Sequence, residues 1–228
     1  MTDTTFVDFP SIGYLETTVP DDLYEYLTRG IDQNLNDRNL LNYGVTAGHI
    51  EETYGLDLPT DEWDKFEDWI LDKCQEYVTN YNIFRFYKCL PPEPIPLQLH
   101  QLWFNYQKKG EYNPVHNHAG IFSFVIWVQI PYELGDEFGH ETVSRVSFKT
   151  NSLFSFHYTN HLGRTEDFLV GVDKHYEKKM ILFPAEVAHQ VYPFFTSDGI
   201  RISIAGNVGL HKEEKFLWNQ PKVVYEMK

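Results

Sequence analysis

The strongest constraint on what this chain can fold into is a change of character around residues 90–96. Leu90-Pro91-Pro92-Glu93-Pro94-Ile95-Pro96 breaks any helix, because each proline fixes φ and removes a backbone donor. The segments before it carry helical spacing. Asp21 and Asp22 precede Leu23, Leu27 and Ile31, an acidic start that suits the positive end of a helix dipole. Trp63, Phe66, Ile70, Cys74 and Tyr77 fall on one face of a second helix, with Thr60 or Asp61 as its expected N-cap. From residue 97 the pattern is β. Leu97–Tyr106, Phe122–Ile130, Thr142–Lys149, Leu153–Tyr158, Met180–Phe183 and Ile200–Val208 are rich in β-branched and aromatic residues and are separated by turn residues. Short strands after a helical start predict a sandwich or barrel with helices packed against it, a mainly β protein of the α+β kind. The expected organisation is a mixed helical region over residues 1–96 packed on a β core over residues 97–228, in one compact unit.

Charge narrows the partners. Among 228 residues, 33 are Asp or Glu and 19 are Lys or Arg, a net charge of −14. Such a surface is repelled by phosphate backbones and anionic lipid, so neither a nucleic acid nor a membrane is expected as partner. No stretch reaches the roughly 18 apolar residues of a membrane span, and the first residues lack a basic region followed by an apolar run. Cys74 and Cys89 are too few for a disulfide framework and read as ordinary thiols in a reducing compartment. The expectation is a cytoplasmic protein; oligomeric state is not readable.

The residues that carry chemistry are histidines. In His116-Asn117-His118 the outer two point the same way if the segment is a strand, so both imidazoles can reach one ion. A surface histidine pair has the same pattern. A third histidine, His189, follows the apolar stretch Met180–Phe183, and Arg201-Ile202-Ser203 opens the next strand. There Ile200, Ile202 and Ile204 face one way, while Arg201, Ser203, Ala205 and Asn207 face the other. An arginine turned inward needs an anionic partner, either a buried carboxylate or a ligand. Three protein ligands on one face of a metal leave other coordination positions open.

The segment Trp103–Val208 resembles a group of 2-oxoglutarate and Fe(II)-dependent oxygenases frequent in bacteriophages, especially those of marine cyanobacteria. The matching stretches are Trp103-Phe104-Asn105-Tyr106 with Lys109-Gly110, His116-Asn117-His118, Ser123-Phe124-Val125, Phe183-Pro184, His189, and Arg201 through Asn207. The resemblance implies a double-stranded β-helix of the jelly-roll, cupin-like kind. It implies His116, His118 and His189 as Fe(II) ligands and Arg201, assisted by Ser203, as the anchor of 2-oxoglutarate. Asn105 is implied for the cosubstrate wall, and Trp103, Ser123 and Trp127 for the substrate pocket. The implied reaction couples decarboxylation of 2-oxoglutarate by O2 to hydroxylation of a second substrate. Most oxygenases of this superfamily have a carboxylate where His118 stands, so the site is more positive by one charge. Where the group has a glycine before the Phe183-Pro184 strand this chain has Lys178, which argues against a turn with positive φ there. Two other readings compete. One is a cupin-type three-histidine metalloprotein that uses no 2-oxoglutarate, although the glutamate expected after the histidine pair is absent. The other is a non-catalytic jelly-roll module.

Overall fold

The computed structural model describes residues 11–35, 37, 39–41, 48–86 and 96–211. Cys89, the Leu90–Ile95 stretch and the first ten residues lie outside them.

Two antiparallel sheets form the core. The larger has six strands in the order β1-β8-β5-β10-β3-β2: β1 (Leu15–Thr18), β2 (Thr53–Gly55), β3 (Leu97–Gln107), β5 (Phe122–Gln129), β8 (Lys179–Pro184) and β10 (Arg201–Leu210). The smaller has four, in the order β4-β9-β6-β7: β4 (Asn113–His116), β6 (Phe154–Thr159), β7 (Thr165–Val170) and β9 (Ala188–Val191). From β3 onward, apart from the β6–β7 hairpin, successive strands alternate between the sheets, which is the double-stranded β-helix. Helix α1 (Asp21–Asn34) lies between β1 and β2, α2 (Thr60–Tyr81) between β2 and β3, and a short α3 (Leu134–Gly139) follows β5.

The large sheet has an apolar layer on each face, which explains why β5 reads as a nearly unbroken hydrophobic run. Phe122, Phe124 and Ile126 pack with Leu27, Phe66, Ile70 and Tyr77 of the helices. Val125 and Trp127, on the other face, pack with Phe154, Phe156, Ile181 and Phe183 between the sheets. The predicted α2 stripe is the buried one: Phe66, Ile70, Cys74 and Tyr77 all face the core. Its start differs from expectation. Thr60 is already helical, Pro59 holds the cap position, and no side chain caps it. Proline serves there because its fixed φ leads into the helix.

Three further expectations are corrected. Thr142–Lys149 forms no strand; it is a series of turns and bends, with Val143 N–H donating to His140 O and Val146 N–H to Val143 O. The alternating apolar residues Val146 and Phe148 are exposed, so the period of two found no sheet to pack on. Lys178 takes φ 72, so the tight turn before β8 forms without glycine. Its backbone N–H donates to Trp127 O, and its ammonium lies over the Tyr24 ring, contacts that offset the left-handed strain. Trp127 is turned away from the cavity described below: its ring packs edge-on against Phe154 and Tyr176.

Candidate metal centre

His116 ends β4 and stands directly opposite His189 of β9 in the antiparallel pairing. His118 lies just past the strand end, held by its N–H donating to Ala185 O. Ala185 N–H in turn donates to Ile121 O, so the histidine pair and the β8–β9 turn are tied to each other twice. Between them Gly120 adopts φ 113, and a Cβ there would sit 2.8 Å from Val208 O. Only glycine lets the chain pass this close.

The result is a cluster of three imidazoles. Ring centroids are 4.3 Å apart for His116–His189, and 5.0 Å for both His116–His118 and His118–His189. One ligand nitrogen from each lies within 4.8 Å of the others. Protonation and tautomer favour coordination. His116 Nδ1 is 2.7 Å from Pro114 O and His189 Nδ1 is 3.0 Å from Val187 O. A carbonyl only accepts, so both Nδ1 atoms carry the proton and each Nε2 is left as a lone-pair donor. Phe154, stacked on the His189 ring, and Phe183, edge-on to it, bury that histidine, while His116 and His118 are half-buried. That burial pushes His189 down to about 3, helped by His116, and His118 down to about 4. His116 is also lowered, by burial. All three are neutral near pH 7, the state a metal ligand needs. The donor set fits Fe(II) or a neighbouring first-row divalent ion.

The histidines open into a cavity of about 250 Å3 between the sheets. Trp103, Asn105, Ser123 and Ser203 line it, as sequence suggested. A polar ladder crosses one wall: Thr53 Oγ1 donates to Asn105 Oδ1 at 3.1 Å, and Asn105 Nδ2 donates to Ser203 Oγ at 3.4 Å. None of the lining residues is Asp, Glu, Lys or Arg, in a chain of net charge −14. Among the lining residues that the sequence did not point to are Thr53, Gln101, Gln107 and Asn113. The first lies on a three-residue strand with too little pattern to notice. Asn113 Oδ1 is buried without a hydrogen-bond partner among the described residues.

Arg201 does not line the cavity. It is 2% exposed, at the head of β10 and opposite Gln107. All five guanidinium N–H groups have neutral acceptors. Nε and Nη2 donate to Gln107 Oε1 at 3.0 and 2.8 Å, Nη1 to Tyr132 Oη and Ser152 O, and Nη2 to Tyr192 O. The rings of Phe194 and Tyr132 lie 5.4 and 5.8 Å from its Cζ. No carboxylate among the described residues pairs with it. The buried Glu137 lies nearby, but its oxygens accept from Phe195 N–H, Thr196 N–H and Thr196 Oγ1.

Residues 101–207, which span every one of these groups except Thr53, match the family described as "Putative 2OG-Fe(II) oxygenase". This stretch, just under half of the chain, is similar to that family of 2OG-Fe(II) oxygenases. Solved structures agree in fold. A Pseudomonas putida prolyl-4-hydroxylase superposes with TM-score 0.52 at 14% identity, covering 88% of this chain and 94% of its own. HygX from Streptomyces hygroscopicus, solved with nickel, 2-oxoglutarate and hygromycin B bound, gives 0.54 at 10% identity, covering 88% and 84%. SnoN, a non-heme alpha-ketoglutarate-dependent epimerase from nogalamycin biosynthesis, gives 0.52 at 13%, covering 94% and 87%. No curated protein matches the sequence. The metal and cosubstrate of the family are iron(II) and 2-oxoglutarate. The family match favours this activity over the cupin-type and non-catalytic readings. Among the described residues no helix is long and apolar enough to cross a membrane.

Proposed function

We propose that His116, His118 and His189 hold Fe(II), and that Arg201, with Ser203 and Asn105 beside it, holds the distal carboxylate of 2-oxoglutarate. The observation that carries this reading is the convergence of three neutral imidazoles, one nitrogen of each within 4.8 Å of the others, at the end of a cavity leading toward a buried, carboxylate-free arginine. When bound, the iron supplies the redox chemistry that couples oxidation of 2-oxoglutarate by O2, giving succinate and CO2, to hydroxylation of a C–H bond in a second substrate. The chain's own residues position and exclude. Pro114 O and Val187 O fix the two imidazole tautomers. Phe154 and Phe183 keep water from the His189 side. The charge-free lining supports a second substrate that presents an uncharged group rather than a phosphate or an ammonium. Trp103, its ring 5.6 Å from that of His118, and Ser123 line the cavity and would hold such a group.

The resemblance to bacteriophage oxygenases supports a phage-encoded enzyme working in host cytoplasm. The acidic surface supports a partner other than nucleic acid or membrane. The test is an anaerobic calorimetric titration of the metal-free protein with Fe(II), then with 2-oxoglutarate, followed by succinate release in air. One Fe(II) per chain, lost in His189→Ala, and 2-oxoglutarate binding weakened in Arg201→Ala are the expected results. Binding of 2-oxoglutarate unaffected by Arg201→Ala would remove the anchor assignment.

A further inference from the structure

Arg201 and the cavity are separated by one side chain. Gln107, at the end of β3, lines the cavity and is itself 2% exposed. Its Oε1 accepts from both Nε and Nη2 of Arg201, the edge of a guanidinium that a carboxylate grips with two oxygens. Its Nε2 donates to Glu111 O, across the turn that follows the strand. The remaining Arg201 acceptors are of another kind. Ser152 O and Tyr192 O are backbone carbonyls, and Tyr132, like Phe194, lies outside the cavity lining. Of the groups on Arg201, only Gln107 both occupies the carboxylate edge and borders the space from which a ligand arrives. An amide supplies the hydrogen-bond geometry of a carboxylate without its charge, so the guanidinium is satisfied but not neutralised.

We infer that Gln107 is a displaceable cap on the anion site: its Oε1 holds the place of the distal carboxylate, and a dicarboxylic 2-oxo acid binds by turning it off Arg201. This rests on the proposed role of Arg201 and adds a residue that sets cosubstrate affinity. The cap keeps the guanidinium hydrogen-bonded while the site is free and lowers affinity by the cost of breaking the amide contacts.

The test measures 2-oxoglutarate binding by anaerobic calorimetry on Ni(II)-loaded protein, with melting temperature as a second readout. Gln107→Ala removes the competitor, and its Kd falls about tenfold. Gln107→Glu, nearly isosteric, puts a permanent carboxylate on Arg201. Its Kd rises at least about tenfold, and its melting temperature rises in the absence of cosubstrate because the buried charge is neutralised. Unchanged or weaker binding in Gln107→Ala would overturn the inference, since a residue that merely positions Arg201 loses affinity when removed. So would wild-type affinity in Gln107→Glu. The underlying reading fails differently: wild type and both variants would then bind Ni(II) but no 2-oxoglutarate.

Discussion

The two ends of the cavity satisfy their polar groups in opposite ways. At the histidine end each ring uses its far side or its burial to stay neutral, and one nitrogen of each lies within 4.8 Å of the others. At the arginine end every donor already has an acceptor from the protein. A metal draws the imidazole nitrogens together without displacing a protein group, whereas an anion at Arg201 must replace something. Preorganisation at one end and exchange at the other make metal affinity a property of the fold, and cosubstrate affinity a difference between two sets of hydrogen bonds.

The largest expected effect breaks the first end alone. His189→Ala removes the best-buried ligand and lowers Fe(II) or Ni(II) affinity by about a thousandfold, measured by calorimetry, with the fold kept. Next, Arg201→Ala raises the Kd for 2-oxoglutarate by about a hundredfold while metal stoichiometry stays at one. If both variants lost both ligands, the two ends would be one site and the contrast would be gone. A smaller effect concerns acid. His189 is pushed down to about 3 in the fold, against 6.5 in the unfolded chain. Below that ordinary value the unfolded chain binds a proton that the fold refuses, so stability is full above it and falls with pH. Between about pH 7.5 and about pH 5 the metal-free protein loses about 2 kcal/mol through this group. Urea denaturation at the two values measures this loss together with those of His118 and His116, and His189→Phe should shrink the total by about 2 kcal/mol. The smallest effect tests the wall joining the ends. Asn105→Ala cuts the Thr53–Asn105–Ser203 ladder and raises the apparent KM for 2-oxoglutarate severalfold, with metal affinity unchanged.

Much of the histidine end was legible in the sequence, and for a reason. Strand parity is strict, so residues two apart share a face, and the arrival of His189 after an apolar strand needs only that two strands run side by side. The arrangement is less regular than parity suggests, since His118 lies beyond the strand and is aimed by its bond to Ala185 O rather than by the pleat. The long strands were also readable, because β3, β5 and β10 must satisfy two apolar layers. What failed were features set by tertiary partners. The alternation in Thr142–Lys149 had no neighbouring strand to complete it. The short β1, β2 and β9 carry too few residues for a period to show, and β7 is mostly exposed, with no buried face to mark it. Trp127 shares a face with Ser123 but lies where the space between the sheets is already filled. The engagement of Arg201 by Gln107, Tyr132 and two carbonyls is invisible in one dimension, because its acceptors come from four separate stretches of chain.

The placement of β4 has a mechanical consequence. It is a four-residue strand at the rim of the smaller sheet, with β9 as its only neighbour in that sheet. Short rim strands are where a native structure opens first. An ion shared by His116, His118 and His189 would rivet this rim to the strand beside it. The slowest-fraying element of the loaded protein would then be the one that frays earliest without metal. Amide exchange at His116 and His118, whose N–H donates to Ala185 O, would report occupancy before any turnover occurred.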